Sequence, residues 1–343
     1  MTSHDLTIRG GGIFGLSVAW EAARRGARVR LIETAHIGAG SSGGIVGALA
    51  PHTPENWNPK KQFQLESLLM AEAFFASASA ASGLPTGYAR TGRLQPLADQ
   101  AAITLAQTRA INAQTLWATQ AHWHIIPATD PWHPPSPTGL LVHDTLTARL
   151  HPRQTALALA EAVRATGGQI LLHDAPDHGP TLHATGLAGL QALSAALNRP
   201  VGDGVKGQAI LLAHDARSQP QLFIDALHIV PHADGTTAIG STSEHDYCDP
   251  TSTDAALDAL LHKARSVLPM LQSAAILERW AGVRPRAKSR APLLGPWPGR
   301  PDHYVANGGF KIGFGMAPKV AQTMVDLMLT QTDTIPPDFR LRP

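Results

Sequence analysis

Three glycines near the start of this 343-residue chain, Gly10-x-Gly12-x-x-Gly15, constrain what it can fold into more than any other feature. Leu6–Arg9 before them reads as a short strand, and Leu16–Arg25 after them as an Ala-rich helix. Ala27–Glu33 then alternates Val29 and Leu31 with Arg28 and Arg30, the pattern of a second strand. Together they make one βαβ unit of about thirty residues. In such a unit the first glycine makes a tight turn and the second lets backbone approach a pyrophosphate. The third lets helix and strand pack closely. The phosphates sit at the positive end of the helix. Ala19, Gly26 and Val29 continue the spacing. Glu33 ends the second strand, where a carboxylate accepts hydrogen bonds from a ribose diol and disfavours a 2′-phosphate. The expectation is a dinucleotide site.

The remainder reads as a globular enzyme. Apolar residues make up 43% and charged residues 16%, and a net charge of +2 is too small to imply nucleic acid or a membrane surface as partner. Cys248 is the only cysteine, which excludes a disulfide framework and a Cys-rich metal site and makes the cytoplasm the expected compartment. Met1–Asp5 is polar and does not read as a secretory signal, and no apolar run approaches the ~20 residues of a spanning helix. The 17 histidines, His122-x-His124 included, follow no metal-ligand spacing, so no metal is expected. Helices are expected at Gln62–Ser82, Ala101–Thr119, Thr155–Thr166, Asp254–Leu268 and Ala317–Leu329. Strands are expected at Arg93–Leu97, Leu140–His143, Ile170–His173, Gly207–Leu212, Leu222–Val230 and Thr237–Ser241, the last three as an antiparallel meander. Trp117–Pro137, rich in Trp, His and Pro, shows no helical period.

Which dinucleotide is bound follows from segments further along. These are Gly38–His52, Ile229-Val-Pro-His-Ala-Asp-Gly with Ile239-Gly-Ser-Thr, Trp280-Ala-Gly-Val-Arg284-Pro, and Asn307–Pro318. In this order they resemble the D-amino-acid oxidase family of FAD-dependent oxidoreductases, most nearly its glycine oxidase and sarcosine oxidase-like members. The likeness covers most of the chain. Besides Gly10, Gly12 and Gly15 of the turn, it implies that Ile13, Phe14, Glu33 and Thr34 meet the ADP moiety. It also implies that Ser41, Ser42, Val46, Gly47 and Ala48 line the pyrophosphate and flavin side. Gly309, Phe310, Lys311, Ile312, Gly313, Phe314 and Gly315 would border the pyrimidine edge of the flavin. The glycines there let backbone N–H groups crowd an acceptor at the start of a helix, which suits the negative charge of reduced flavin. Three departures stand out. Arg9 occupies a usually apolar position. The Gln169–Gly186 stretch is short. Cys248 is misplaced for a covalent tether, so the FAD is expected to be non-covalent.

Flavin-dependent amine oxidation needs chiefly geometry and an anchor for the substrate carboxylate. Arg284, between apolar Val283 and Pro285, offers a bidentate fork and matches the carboxylate-binding arginine of glycine oxidase-like proteins. Arg286, Lys288 and Arg290 alternate with it and read as a solvated strand face. Lys311, in a Gly-Phe-Lys run like that of sarcosine oxidase-like proteins, is a second candidate cation facing substrate. His228 stands where the family carries a substrate-contacting tyrosine, which puts glycine itself in doubt as substrate.

The expected fold is α/β and two-lobed. A Rossmann-type FAD-binding lobe (1–86, 144–200 and 283–343) is interleaved with an antiparallel-sheet substrate lobe (87–143 and 201–282). The expected reaction is oxidative deamination of a small amino acid, whether glycine, a D-amino acid or an N-methyl amino acid. Hydride passes from Cα to flavin, an imine forms, and oxygen or another acceptor takes the electrons. The alternative is action on carboxymethylaminomethyl-uridine in tRNA, since Gly47–Pro51 and the Gly-Val-Arg run also resemble that flavoenzyme; it calls for a basic track that the net charge does not supply.

Overall fold

The computed structural model describes residues 5–341. The chain opens with β1 (Leu6–Arg9), α1 (Ile13–Arg24) and β2 (Val29–Ile32), and then β3 (Ala48–Leu49) leads to α2 (Pro59–Ser82). The bounds of α2 are written in its ends. Asn58 accepts a hydrogen bond from Lys61 N, Pro59 fills the first turn, and Gly83 closes the helix in the left-handed region. Next come β4 (Arg93–Pro96), α3 (Gln100–Leu116), β5 (Trp123–Pro127), β6 (Leu140–Asp144), β7 (Ala148–Arg149), α4 (Pro152–Ala165), β8 (Gln169–Leu171), β9 (Thr181–His183) and α5 (Gly186–Ala196). The last third holds β10 (Gly202–Leu212), β11 (Gln221–Ile224), β12 (Leu227–Pro231), β13 (Thr237–Gly240), α6 (Ala255–Val267), β14 (Ile276–Ala287), β15 (Leu293–Pro296), β16 (His303–Asn307) and α7 (Gly313–Thr330). No helix among the described residues is long and apolar enough to cross a membrane.

Two sheets organise these elements, with β3 and β7 forming a short separate ribbon. The first has the order β15-β16-β9-β1-β2-β8 and is parallel except at β15–β16. Its central strands bury Leu6, Ile8, Val29 and Leu31 completely, and they share one core with Leu16 and Val18 of α1, Leu159 and Val163 of α4, and Val320 and Met324 of α7. Burial on both faces is why apolar residues dominate the interior of these strands. The second sheet, β14-β10-β13-β12-β11-β4-β6-β5, is antiparallel except at β11–β4, and α6 covers one face through Leu257, Leu261 and Ala264.

Several expectations change. Leu222–Val230 is two strands, because Asp225 and Ala226 both take positive φ and turn the chain between them. The Trp117–Pro137 stretch contains β5, which pairs with β6. The Trp132 indole anchors the rest of that stretch by burying itself and donating to Pro220 O at 2.9 Å. β9 and β16, three and five residues long among prolines and histidines, complete the parallel sheet without any sequence periodicity to announce them. Helix α7 starts at Gly313, four residues before its expected start. Arg9 also gains an account: it donates to Asp177 at 2.6 Å, Asp174 at 2.8 Å and Ala175 O at 2.7 Å, pinning the β8–β9 connection to the end of β1.

Candidate active site

A single cavity of about 830 Å³ runs from the carboxyl ends of β1, β2, β9 and β16 to the open face of the second sheet. Ligands of parallel α/β sheets bind at such strand ends. Gly10 sits at φ 108°, and a Cβ there would come within 2.4 Å of Ala184 O; one on Gly15 would stand 2.0 Å from Gly10 O. The first is a turn no other residue makes without strain, and the second is the close helix–strand contact. The Glu33 carboxylate accepts from Gly11 N at 2.7 Å and from Ala35 N at 2.9 Å, so it is fixed beside the turn. Ser42 Oγ accepts from Ile13 N at 2.9 Å, which ties the Ser41–Gly43 turn to the start of α1. Neither α1 nor α7 carries an acidic residue in its first turn. Both positive helix ends are therefore left for an anion.

The second glycine-rich segment meets the first directly. Asn307 accepts from Gly308 N at 2.7 Å and donates to Gly186 O at 2.8 Å, setting the turn that leads through Phe310–Ile312 into α7. A Cβ on Gly309 would lie 2.7 Å from the Phe14 ring. Of the residues expected at cofactor or substrate, all line the cavity except Gly15 and Gly47. Gly47 lies against the strand end before α4, where a Cβ would stand 1.8 Å from Leu150 O.

The opposite end of the cavity is built on the second sheet. Arg284 of β14 is 8% exposed, and its guanidinium lies across Gly207 of β10, so close that a Cβ there would be 1.8 Å from Nη2. It donates to Ser241 Oγ at 2.7 Å and to Thr242 O at 3.2 Å. Among the described residues no carboxylate forms an ion pair with it, and burial pushes its pKa down to about 10, against the attraction of the more distant Glu244. Lys311 also faces the cavity, and burial together with Arg284 and Arg286 lowers its pKa. Glu33, at the other end, is the only acidic residue on the wall among the described residues. His228 on β12 packs its ring 4.6 Å from Phe223, and its Nδ1 is buried without a partner. Burial, with Arg93 and Lys311 nearby, holds its pKa at about 3, so the imidazole is neutral. Of the arginine series, Arg286 leaves the cavity and lies over the Phe310 ring, and its backbone bridges to Gly309.

Sequence reasoning missed Gly207, Ser241 and Gln64. Gln64 accepts from His52 N at 2.7 Å and donates to Ala50 O at 3.2 Å, holding the irregular segment after β3 against α2. Only strand register could have found the first two. His151, His232 and Asp234 lie within 4.8 Å of one another. His151 Nδ1 accepts from Gln154 N as the cap of α4, which puts the ring proton on Nε2, facing Asp234 at 3.8 Å. In that state Nε2 carries a proton and offers no lone pair to a metal. Cys248 is exposed and off the cavity wall.

A family model described as DAO, FAD dependent oxidoreductase, matches residues 5–327. The chain belongs to that family. This FAD-dependent oxidoreductase is similar to glycine oxidase of Pseudomonas putida, with 26% identity across 98% of this chain and 97% of the relative. Its fold matches the crystal structure of glycine oxidase from Geobacillus kaustophilus with a TM-score of 0.85, at 20% identity and 99% coverage of both chains. It matches that of an iminodiacetate oxidase from Chelativorans sp. BNC1 with a TM-score of 0.83, at 20% identity and 96% coverage of both. The wall residues fit FAD: a turn cleared of side chains, a carboxylate fixed at the end of β2 and two unopposed helix ends.

Proposed function

We propose that this flavoprotein oxidises a small amino acid, or an N-substituted one, at Cα to the imine. One observation carries the reading. Arg284 is a buried guanidinium held by neutral acceptors, in the same cavity as the dinucleotide turn. A buried cation with no counter-ion is costly, and a substrate carboxylate supplies the missing charge with matching geometry. Lys311 adds a second positive charge to the same region and orients the acid end. FAD, which Gly10, Gly12, Glu33 and the start of α7 would hold, would supply the acceptor for a hydride leaving Cα. The amine lone pair closes the C=N bond and the remaining proton passes to water, so no wall residue has to act as base. His228, neutral at every working pH, serves as a hydrogen-bonding group. The names of the relatives, glycine oxidase and iminodiacetate oxidase, agree with an amino-acid substrate.

The FAD-binding lobe is taken as 1–86, 144–200 and 283–343, and the substrate lobe as 87–143 and 201–282. The cytoplasm is the compartment this reading assigns, and oxygen or another acceptor the final oxidant. Nothing in the site favours the tRNA alternative: its anion-binding groups point into the cavity.

Anaerobic mixing of the yellow holoenzyme with glycine, both enantiomers of common amino acids and their N-methyl derivatives tests the reading. At least one should bleach the visible flavin band, and a panel with no reduction overturns it. Acid precipitation should leave the flavin in the supernatant, since Cys248 lies off the cavity wall.

A further inference from the structure

One cation on the cavity wall is used neither by the dinucleotide turn nor by the α-carboxylate. Arg93 of β4 is buried, and its Nε donates to the buried Asp144 at 2.9 Å. Asp144 also accepts from Thr147 N at 2.8 Å, so one edge of the guanidinium is firmly placed. Its Cζ stands 5.4 Å over the Phe223 ring. No partner within the described residues is recorded for either terminal nitrogen, and neither is among the polar atoms sealed from solvent. Arg93 lines the cavity, which gives these unsealed donors a route to it. His228 forms the side of the same corner, its ring against Phe223 and its Nδ1 turned into the interior.

This corner is separate from the Arg284 anchor. Strand order places β13 and β12 between β10, under the Arg284 guanidinium, and β11, under that of Arg93. Since Arg284 also reaches Ser241 just past β13, the separation set by strand order is about two spacings of ~4.8 Å, roughly 10 Å, which keeps the two groups from sharing one carboxylate. A purely structural Arg–Asp pair tends to use the guanidinium fork on its partner. Here a single bond holds it, and the remaining donors keep their route to the void.

We propose that Arg93, with Phe223 and His228, forms a second anion subsite on the sheet floor, and that the preferred substrate is an amino acid or N-substituted amino acid bearing a second carboxylate. The inference rests on the amine-oxidation reading for the reacting end of the substrate only.

The test uses flavin-loaded full-length protein. Catalysis compares both enantiomers of glutamate with those of glutamine, and iminodiacetate with N-methylglycine. The wild type should favour the diacid in at least one pair by about tenfold or more in kcat/KM. Arg93→Lys keeps a partner for Asp144 but loses the fork, and should bring the ratio towards one. The double change Arg93→Gln with Asp144→Asn removes both charges together, strands no buried carboxylate, and should do the same. Binding is read separately by titrating glutarate against butyrate and following the visible flavin spectrum and Tm. Glutarate should bind about tenfold more tightly in the wild type alone. A wild type indifferent to the second carboxylate, or variants that lower both series in equal proportion, overturns the subsite. If no amine reduces the flavin, the reaction reading fails by itself, and the glutarate titration still decides the subsite.

Discussion

The two ends of the cavity solve opposite problems. At the dinucleotide end the chain removes side chains and presents backbone: Gly10, Gly12 and Gly309 clear the space, and Glu33 is held by the amides of Gly11 and Ala35. At the other end the sheet presents long charged side chains, Arg284 and Arg93, each leaning across a neighbouring strand. Backbone recognition depends on residues adjacent in sequence and is intolerant of added volume. Side-chain recognition depends on strand register and is easily altered without unfolding. Changes at the glycine-rich end should therefore cost cofactor, and changes on the sheet floor should cost rate or selectivity.

The largest effect should come from the anchor. Arg284→Ala leaves the substrate carboxylate poorly paired and should cost on the order of 2–5 kcal/mol, or about 30- to several-thousand-fold in kcat/KM. Flavin content should stay unchanged. The preference for an amino acid over its decarboxylated amine should mostly vanish, and a preference that survives intact places the carboxylate elsewhere. Next is Gly207→Ala, which pushes the guanidinium off its seat while the strand ladder stays. A displacement of about 1 Å should lower kcat/KM by up to about 100-fold with little change in Tm. A comparable fall in Tm would show Gly207 to be a folding position instead. Glu33→Ala should act at the opposite end, weakening FAD by roughly 1.5–3 kcal/mol through lost charged hydrogen bonds, measured as a Kd for the flavin.

The smallest effects are those of pH. Reduction rates should rise towards alkaline pH as the substrate amine loses its proton. Arg284 contributes its charge fully below its pKa of about 10 and loses it as pH rises through that value. KM for the acid should therefore climb at the alkaline extreme, shifted somewhat upward by the bound carboxylate, while KM for the decarboxylated amine should not. His228 is already neutral above about 3 and should add no inflection between about pH 5 and 8. A His228→Gln variant that moves a pKa in that window would contradict its neutrality.

This contrast also explains how much could be read in advance. The first βαβ unit was legible because its determinants, from Leu6 to Glu33, are contiguous and each spacing has a steric cause. Arg284 was legible through its apolar neighbours and the family likeness. Gly207 was not, since nothing in its own surroundings says that an arginine 77 positions on will lie over it; that follows from the β10–β14 register pairing Gly207 with Gly282. Arg93 was hidden for the same reason, as its ring partner Phe223 reaches it through a parallel pairing of β11 with β4. β9 and β16 escaped because strands buried in a parallel sheet need no alternation.

The bridge between Arg286 and Gly309 has a consequence for precision. Arg284 and Arg286 are two residues apart on one strand, and Arg286 is joined through backbone to the loop proposed to border the flavin. A shift or bend of β14 would carry the proposed anchor and, through the bridge, that loop with it. The part of the disturbance common to both would leave the distance between them unchanged. An assembly wired in this way can tolerate a soft surrounding without loosening its alignment, as a differential circuit rejects noise shared by its two inputs.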